Sequence, residues 1–163
     1  MYSIGVRKVY LETSIVSYLT ARPSRDLVAA ARKQITLEWW ARHRERFVLY
    51  VSGLVLKEAS LGDPSAAEAR LAATADLPQL PASVEAETLA RTLLARGILP
   101  AKAQDDAAHI AIATVHGMDF LLTWNFRHIA NAERREAVAA ICRGAGYAPP
   151  VICTPEELED GDD

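Results

Sequence analysis

Short apolar runs rich in β-branched and aromatic residues alternate with helix-like segments along this chain of 163 residues. The runs at 8–11 (KVYL), 47–52 (FVLYVS), 118–123 (MDFLLT) and 150–154 (PVICT) predict strands, and the piece between prolines at 76–81 predicts a short extended segment. Strands that alternate with helices pair in parallel. The pattern therefore predicts one α/β domain with a mostly parallel central sheet flanked by helices on both faces.

Helical periodicity, capping residues and glycine stops define the segments between the strands. We expect Ser14 and Ser24 to cap the first two helices and Asp105 to cap the sixth. The predicted helices are 15–20, 24–44, 53–62, one that begins near 64, 84–95, 104–116 and 131–143.

The charge of the chain is unevenly distributed. The net charge is −3, but six of the 21 acidic residues lie in the last eight, EELEDGDD. The rest of the chain has 18 basic residues against 15 acidic ones. We predict one domain over 1–155 and a solvated acidic tail over 156–163, and the domain is compatible with a phosphate-bearing substrate.

Composition also excludes several classes of protein. No apolar run approaches the roughly 18 to 20 residues that span a bilayer, and the N-terminal segment lacks the features of a secretory signal. Cys142 and Cys153 are too few for a disulfide framework or a cysteine-based metal site. We therefore expect a protein of the reducing cytoplasm without a membrane partner.

Polar residues follow the predicted strands at positions where a parallel sheet binds its ligands. Glu12 comes directly after the first strand, Glu58 lies shortly after the second, and Thr123 and Asn125 follow the apolar residues FLL of the run at 118–123. Asp106 lies in the first turn of the helix at 104–116. Because the carboxyl ends of parallel strands share one edge, we expect these side chains to meet in one crevice.

Carboxylates that share a crevice repel one another unless a cation lies among them. Oxygen ligands without a histidine or cysteine partner suit Mg²⁺ or Mn²⁺ better than zinc, and such ions can bridge the oxygens of a phosphodiester. A cation would also compensate the negative charge of Glu12, since burying that charge without a partner would cost on the order of several kcal/mol.

Each of these residues also has an ordinary structural interpretation. Glu12 can be the polar first residue of a helix, Glu58 a surface glutamate, and Asn125 the cap of a turn. His109, one turn after Asp106, is more typical of a hydrogen-bonded packing residue than of a metal ligand. His128 and Trp124 either orient a substrate or close the pocket.

Four segments occur in the same order as the motifs of a known family: YLETS, VLKEAS, DDAAHIAIA and LLTWN. Over about residues 8–154 the chain resembles the PIN-domain nucleases, and within them the VapC-type toxins of bacterial toxin–antitoxin pairs. The resemblance implies a parallel sheet between helices. It also implies metal-dependent cleavage of RNA, with Mg²⁺ or Mn²⁺ held by three or four acidic residues.

The resemblance assigns roles to individual residues. The four acidic positions of the family fall on Glu12, Glu58, Asp106 and Asn125, with Thr123 as the associated hydroxyl, and the metal ligands fall on Glu12 and Asp106. Two positions depart from the family pattern, since glutamate replaces aspartate at the first and asparagine replaces aspartate at the fourth.

The segment from Ile15 to Arg44 bears on possible partners. Trp39 and Trp40 are adjacent, so the two indoles cannot share one face of a helix. Either one of them anchors another chain or both pack within the domain. The resemblance implies a homodimer and a cognate antitoxin whose basic or apolar segment covers the acidic crevice.

Two other functions compete with this interpretation. A HAD-type phosphotransferase needs a nucleophilic aspartate after the first strand and a second acid two residues later, but Glu12 and Ser14 occupy those positions. The other alternative is a catalytically weak or inactive PIN-like scaffold that binds RNA or protein, and it rests on Asn125.

Overall fold

A computed structural model describes residues 5–159. Its strands are β1 (Arg7–Leu11), β2 (Phe47–Ser52), β3 (Gln79–Leu80), β4 (Phe120–Leu122) and β5 (Val151–Cys153). Its helices are α1 (Thr13–Thr20), α2 (Leu27–Arg42), α3 (Gly53–Ala59), α4 (Pro64–Thr74), α5 (Val84–Ala95), α6 (Gln104–Val115) and α7 (Arg135–Gly144). A short 3₁₀ helix, Arg44–Arg46, precedes β2.

The five described strands form one parallel sheet in the order β3-β2-β1-β4-β5. Strand β1 lies in the middle, with Val9 opposite Leu49 of β2 and Phe120 of β4. The chain builds the sheet outward from β1 to β3 and then returns to place β4 on the other side of β1. The prediction of a parallel α/β sheet is confirmed, and the reversal of strand order creates a crevice at the carboxyl ends of β1 and β4.

The core surrounds the central strand. Val9, Tyr10 and Leu11 are all fully buried, as expected for a parallel strand that is covered on both faces. On one side the ring of Trp39 from α2 stacks on Phe47, with 5.9 Å between the ring centroids. Phe47 lies opposite Arg7, the first residue of β1, so this packing covers the amino end of the central strands.

The helix caps differ from those expected. Glu12 rather than Ser14 caps α1, since its carboxylate accepts the Ser14 backbone N–H. Asp26 rather than Ser24 caps α2, and the Ser24 hydroxyl instead accepts the N–H of Asp26. In α6 the N-cap position belongs to Ala103, and Asp105, which was expected there, is exposed within the first turn.

The segment after β5 remains in contact with the domain through Leu158. Leu158 is buried, and its carbonyl accepts a hydrogen bond of 3.0 Å from Trp39 Nε1. The Glu157 carboxylate accepts the Thr154 backbone N–H. Residues 160–163 of the predicted acidic tail lie outside the described residues.

The two adjacent indoles both pack within the domain. Trp39 is fully buried, while Trp40 is partly buried against the core and carries the Arg44 guanidinium 3.9 Å from its ring centroid. This arrangement agrees with the second of the two possibilities drawn from the sequence, because neither ring stands free of its own domain.

None of the helices among residues 5–159 combines the length and the apolar character that a membrane crossing requires.

Trp39 is expected to contribute more to stability than its neighbour. Trp39→Phe removes ring volume from the core and leaves the Leu158 carbonyl without its donor, so the free energy of unfolding should fall by about 1–3 kcal/mol. Trp40→Phe, at a partly exposed site, should cost less than about 1 kcal/mol. Urea denaturation of both variants measures the difference, and equal losses would contradict the packing described here.

Candidate active site

Glu12 lies at the crevice between β1 and β4. Its backbone N–H donates to the Leu122 carbonyl at 3.1 Å, so the pairing of the two strands continues up to this residue. Only 6% of Glu12 is exposed. The sheet therefore places a nearly buried carboxylate between the carboxyl ends of β1 and β4. This is the switch point, where the strand order reverses.

Neutral donors surround the Glu12 carboxylate. Oε1 accepts the Ser14 hydroxyl at 2.5 Å and the fully buried Thr123 hydroxyl at 2.6 Å, and Oε2 accepts the Ser14 N–H at 3.1 Å. Hydrogen bonds to a charged acceptor are stronger than neutral ones, and the start of α1 also favours a negative charge. These contacts compensate the burial of Glu12 without a basic side chain.

Glu58 faces the same crevice from the last turn of α3. Its Oε1 accepts the Thr13 hydroxyl at 2.6 Å and lies 2.5 Å from His109 Nε2. Partial burial works to raise the pKa of Glu58, but the hydrogen bonds from His109 and Thr13 and the nearby charge of Lys57 outweigh it, so the pKa lies below its ordinary value. Glu58 is therefore ionised at neutral pH.

His109 connects Glu58 to the interior. The imidazole is fully buried, and its Nδ1 lies 2.6 Å from the Tyr10 hydroxyl. That hydroxyl lies 2.8 Å from Ser52 Oγ. Burial raises the pKa of Tyr10, so the phenol keeps its proton. The interpretation of His109 as a hydrogen-bonded packing residue agrees with these contacts, although they place it in the candidate site itself.

Glu12, Glu58 and His109 form a group that could hold a metal ion. Each offers one ligand atom, and these atoms lie within 4.8 Å of one another. Sequence reasoning placed Glu12 in a metal site but left His109 outside it. The available signal was the spacing of His109 from Asp106, which puts both on one face of α6.

Asp106 belongs to a second part of the network. Its Oδ1 accepts the Asn125 side-chain N–H at 3.1 Å, and its Oδ2 lies 2.8 Å from His128 Nδ1. Asp106 is not a member of the compact group formed by Glu12, Glu58 and His109. The structure thus brings Asp106 to the crevice through Asn125 and His128, and the contact with His128 was not foreseen.

Thr123 joins the two parts. Its hydroxyl donates to Glu12 and accepts the Asn125 backbone N–H at 2.9 Å. Asn125 Oδ1 in turn accepts the His128 N–H at 3.0 Å, as expected for the cap of a turn. All five residues singled out in the sequence, Glu12, Glu58, Asp106, Thr123 and Asn125, therefore lie in one region, whereas the exposed Asp105 makes none of these contacts.

Trp124 secures the loop that carries Thr123 and Asn125. The indole is buried and its Nε1 donates to the Thr36 hydroxyl at 2.8 Å. Its backbone N–H donates to Ser14 Oγ, also at 2.8 Å. Of the two roles considered for Trp124, these contacts agree with closing the pocket.

Ionised Glu58 should stabilise the fold in a pH-dependent way. Its pKa is lower in the folded protein than the ordinary 4.5, so its stabilisation is present above that value and is lost as the pH falls through the folded pKa. At pH 7 without metal, Glu58→Gln should lower the free energy of unfolding by about 1 kcal/mol, since two charge-assisted hydrogen bonds become neutral.

Urea denaturation at a series of pH values, with a chelator present, measures this effect. The difference between wild type and Glu58→Gln should shrink as the pH falls below 4.5. Glu87→Gln, at an exposed position of α5, is the matched control and should show no such trend. A difference for Glu58→Gln that is independent of pH would contradict the favourable environment of the carboxylate.

Comparison with known proteins tests the fold. No family model matches the chain, and no curated protein sequence does. Mycobacterium tuberculosis VapC20, a sarcin-ricin loop cleaving toxin, is similar in structure with a TM-score of 0.59 and 20% sequence identity, over 76% of this chain and 95% of VapC20. VapBC2 from Rickettsia felis, solved with a DNA fragment from its promoter, has a TM-score of 0.56 and 15% identity, over 90% of this chain and 98% of the matched chain. At these identities the likeness establishes architecture, and the chain has the PIN-like α/β fold that its resemblance to VapC-type proteins implies.

Proposed function

We propose that this protein is a metal-dependent endoribonuclease, the toxin of a toxin–antitoxin pair, which hydrolyses RNA phosphodiesters with Mg²⁺ or Mn²⁺. The observation that carries the proposal is the convergence of Glu12, Glu58 and Asp106 at the switch point of a PIN-like sheet. This is the edge at which parallel sheets bind ligands. Thr123 and Asn125 join Glu12 and Asp106 into one network, and Glu58 lies close to Glu12.

The donor set fits a hard divalent cation. Oxygen ligands suit Mg²⁺ and Mn²⁺, and we assign Glu12 and Asp106 as ligands, with Glu58 beside Glu12. A bound cation would act there as a Lewis acid on the phosphodiester and would lower the pKa of a water molecule. Glu58 Oε1 holds two donors, while Oε2 has no hydrogen-bond partner among the described residues and can take part in the site.

The side chains around the carboxylates have positioning roles. Ser14 and Thr123 fix the Glu12 carboxylate, and the Asn125 amide fixes Asp106. Ionised Glu58 can accept a hydrogen bond from the attacking water and orient it toward the phosphorus. Held geometry of this kind reduces the entropy that a reaction must lose.

RNA is the substrate class that the comparisons favour. VapC20, which shares the fold, is a toxin that cleaves the sarcin-ricin loop. The chain without its acidic tail carries more basic than acidic residues, which is compatible with a polyanionic substrate. Such a toxin would act in the cytoplasm.

The competing proposal is a PIN-like scaffold that binds RNA or protein without cutting. Its motive is Asn125, which stands where the family has an acid. In this structure the Asn125 amide donates to Asp106, a contact that an ionised aspartate could not make. The asparagine therefore has a defined place in the site, and its presence does not by itself argue against the enzyme.

Removing the charge of either proposed ligand should abolish function. Glu12→Gln and Asp106→Asn should each weaken Mn²⁺ binding and slow RNA cleavage by at least about a hundredfold, since the cation loses a carboxylate. Asp105→Asn, at the exposed neighbouring residue, is the matched control and should retain both properties.

Calorimetry with Mn²⁺ and cleavage of a labelled RNA measure the two effects. Identical purification of all variants excludes a contaminating nuclease. Wild-type Mn²⁺ affinity in the double variant Glu12→Gln, Asp106→Asn would contradict the metal site. Metal binding without cleavage of any RNA would favour the scaffold.

The proposed partners are a second copy of the chain and a small antitoxin. Leu27 and Val28, at the start of α2, are 86% and 57% exposed, an unusual pair of apolar side chains on a surface. A partner that covers them would stabilise its complex by burying apolar area. The structural similarity to VapBC2 supports an antitoxin as one such partner.

The double variant Leu27→Ser, Val28→Ser should therefore lose dimerisation or antitoxin capture. Light scattering measures the first, and co-purification with the product of the adjacent small open reading frame measures the second. Val84→Ser, at a 74% exposed position of α5, is the control. A wild-type monomer that captures no product of a neighbouring gene would defeat both partner proposals and leave the nuclease proposal intact.

A further inference from the structure

A line of hydrogen bonds runs from the core to the candidate site. It begins at Ser52, at the end of β2, and passes through the Tyr10 hydroxyl and the His109 imidazole to the Glu58 carboxylate. Ser52, Tyr10 and His109 are buried to 1% exposure or less. Buried polar groups of this kind must find partners for their protons, which fixes the direction of each bond.

The direction is set at Ser52. Its Oγ accepts the Val55 backbone N–H at 3.3 Å as the cap of α3. Among the described residues its other partner is the Tyr10 hydroxyl. If Tyr10 donated to Ser52, the serine proton would have no acceptor in the described contacts, which is unfavourable for a buried hydroxyl. Ser52 therefore donates to Tyr10.

The remaining bonds follow from this choice. With its oxygen accepting from Ser52, Tyr10 directs its own proton to His109 Nδ1, 2.6 Å away. An imidazole that accepts at Nδ1 is neutral and carries its proton on Nε2. Nε2 lies 2.5 Å from Glu58 Oε1 and donates to it. Each of the three hydrogen bonds then has one donor and one acceptor.

We infer that His109 is a positioning residue, held by Tyr10 and Ser52 as an Nε2–H donor that fixes the Glu58 carboxylate, and that it is not a metal ligand. The inference rests on the proposed function for the role of Glu58. The group of Glu12, Glu58 and His109 leaves two roles open for His109, metal ligand or hydrogen-bond donor to Glu58, and the inference selects the second. A nitrogen that carries a proton has no lone pair for a cation.

This arrangement accounts for the orientation of Glu58. His109 and Thr13 both bind Oε1, so the second oxygen is directed to the crevice. Asp106 lies one turn before His109 on α6. The same helix therefore carries the Asp106 carboxylate and, through His109, orients the Glu58 carboxylate. Outer contacts of this kind commonly change metal affinity by about 10–100-fold.

Nitrogen NMR of the metal-free protein tests the tautomer directly. We expect His109 to show a protonated Nε2 and an unprotonated Nδ1, with its signals assigned by their absence from His109→Gln. Tyr10→Phe should lose the fixed tautomer because Nδ1 loses its donor. A protonated Nδ1 in the wild type, or loss of the Nε2 proton when Mg²⁺ is added, would overturn the inference.

Mn²⁺ calorimetry supplies a second test with two matched substitutions. His109→Gln keeps an N–H near the position of Nε2 and should retain affinity, whereas His109→Leu should lose about 10–100-fold. Tyr10→Phe should lie between them, and it serves as the informative variant if His109→Leu does not fold. Equal losses in the glutamine and leucine variants would instead identify His109 as a ligand.

Neither measurement uses RNA, so the two proposals can fail separately. The expected tautomer together with absent RNA cleavage would count against the nuclease alone. Cleavage together with a metal-bound His109 would count against the positioning role alone. His116→Gln, beyond the other end of α6, is the control for effects of losing a histidine from this region and should leave Mn²⁺ affinity unchanged.

Discussion

The hydrogen bonds to Glu12 are the interaction on which the rest of the site depends. A carboxylate that is 6% exposed at the end of the central strand must be compensated where it lies. Ser14 and Thr123 supply that compensation. The same bonds start α1, which Glu12 caps, and connect the end of β1 to the loop after β4. The bonds that join the ends of the two strands are thus the same bonds that position the Glu12 carboxylate.

The strand order makes this convergence unavoidable. In the order β3-β2-β1-β4-β5 every strand is parallel, so all carboxyl ends reach one edge. Because β1 and β4 are neighbours in the sheet but not consecutive in the chain, no helix connects them directly. This leaves room at their carboxyl ends. Side chains that follow β1 and β4, together with the start of α6, fill that room. Position in the fold, rather than proximity in sequence, explains why residues from 12 to 125 meet.

Local sequence patterns predicted the helices and strands, but they did not predict the contacts between residues that are distant in the chain. The bounds predicted for β2 and α5 agree with the structure, because a β-branched run and a helical segment that ends before a glycine are local features. The acids at the strand ends were also visible, since topology alone brings them together. The bond between Tyr10 and His109 joins residues 99 positions apart and depends on packing that periodicity does not encode. The choice of Glu12 over Ser14 as a cap likewise needed the position of Thr123.

The charge balance of the site supports its assignment to a cation. Each carboxylate is held by hydroxyl, backbone, amide or imidazole donors: Glu12 by Ser14 and Thr123, Glu58 by Thr13 and His109, and Asp106 by Asn125 and His128. No lysine or arginine among the described residues forms an ion pair with them. Such donors fix the positions of the oxygens but leave most of the negative charge in place. The crevice is thus organised without a lysine or arginine partner, and asparagine at position 125 leaves one carboxylate fewer to repel the others before a cation binds.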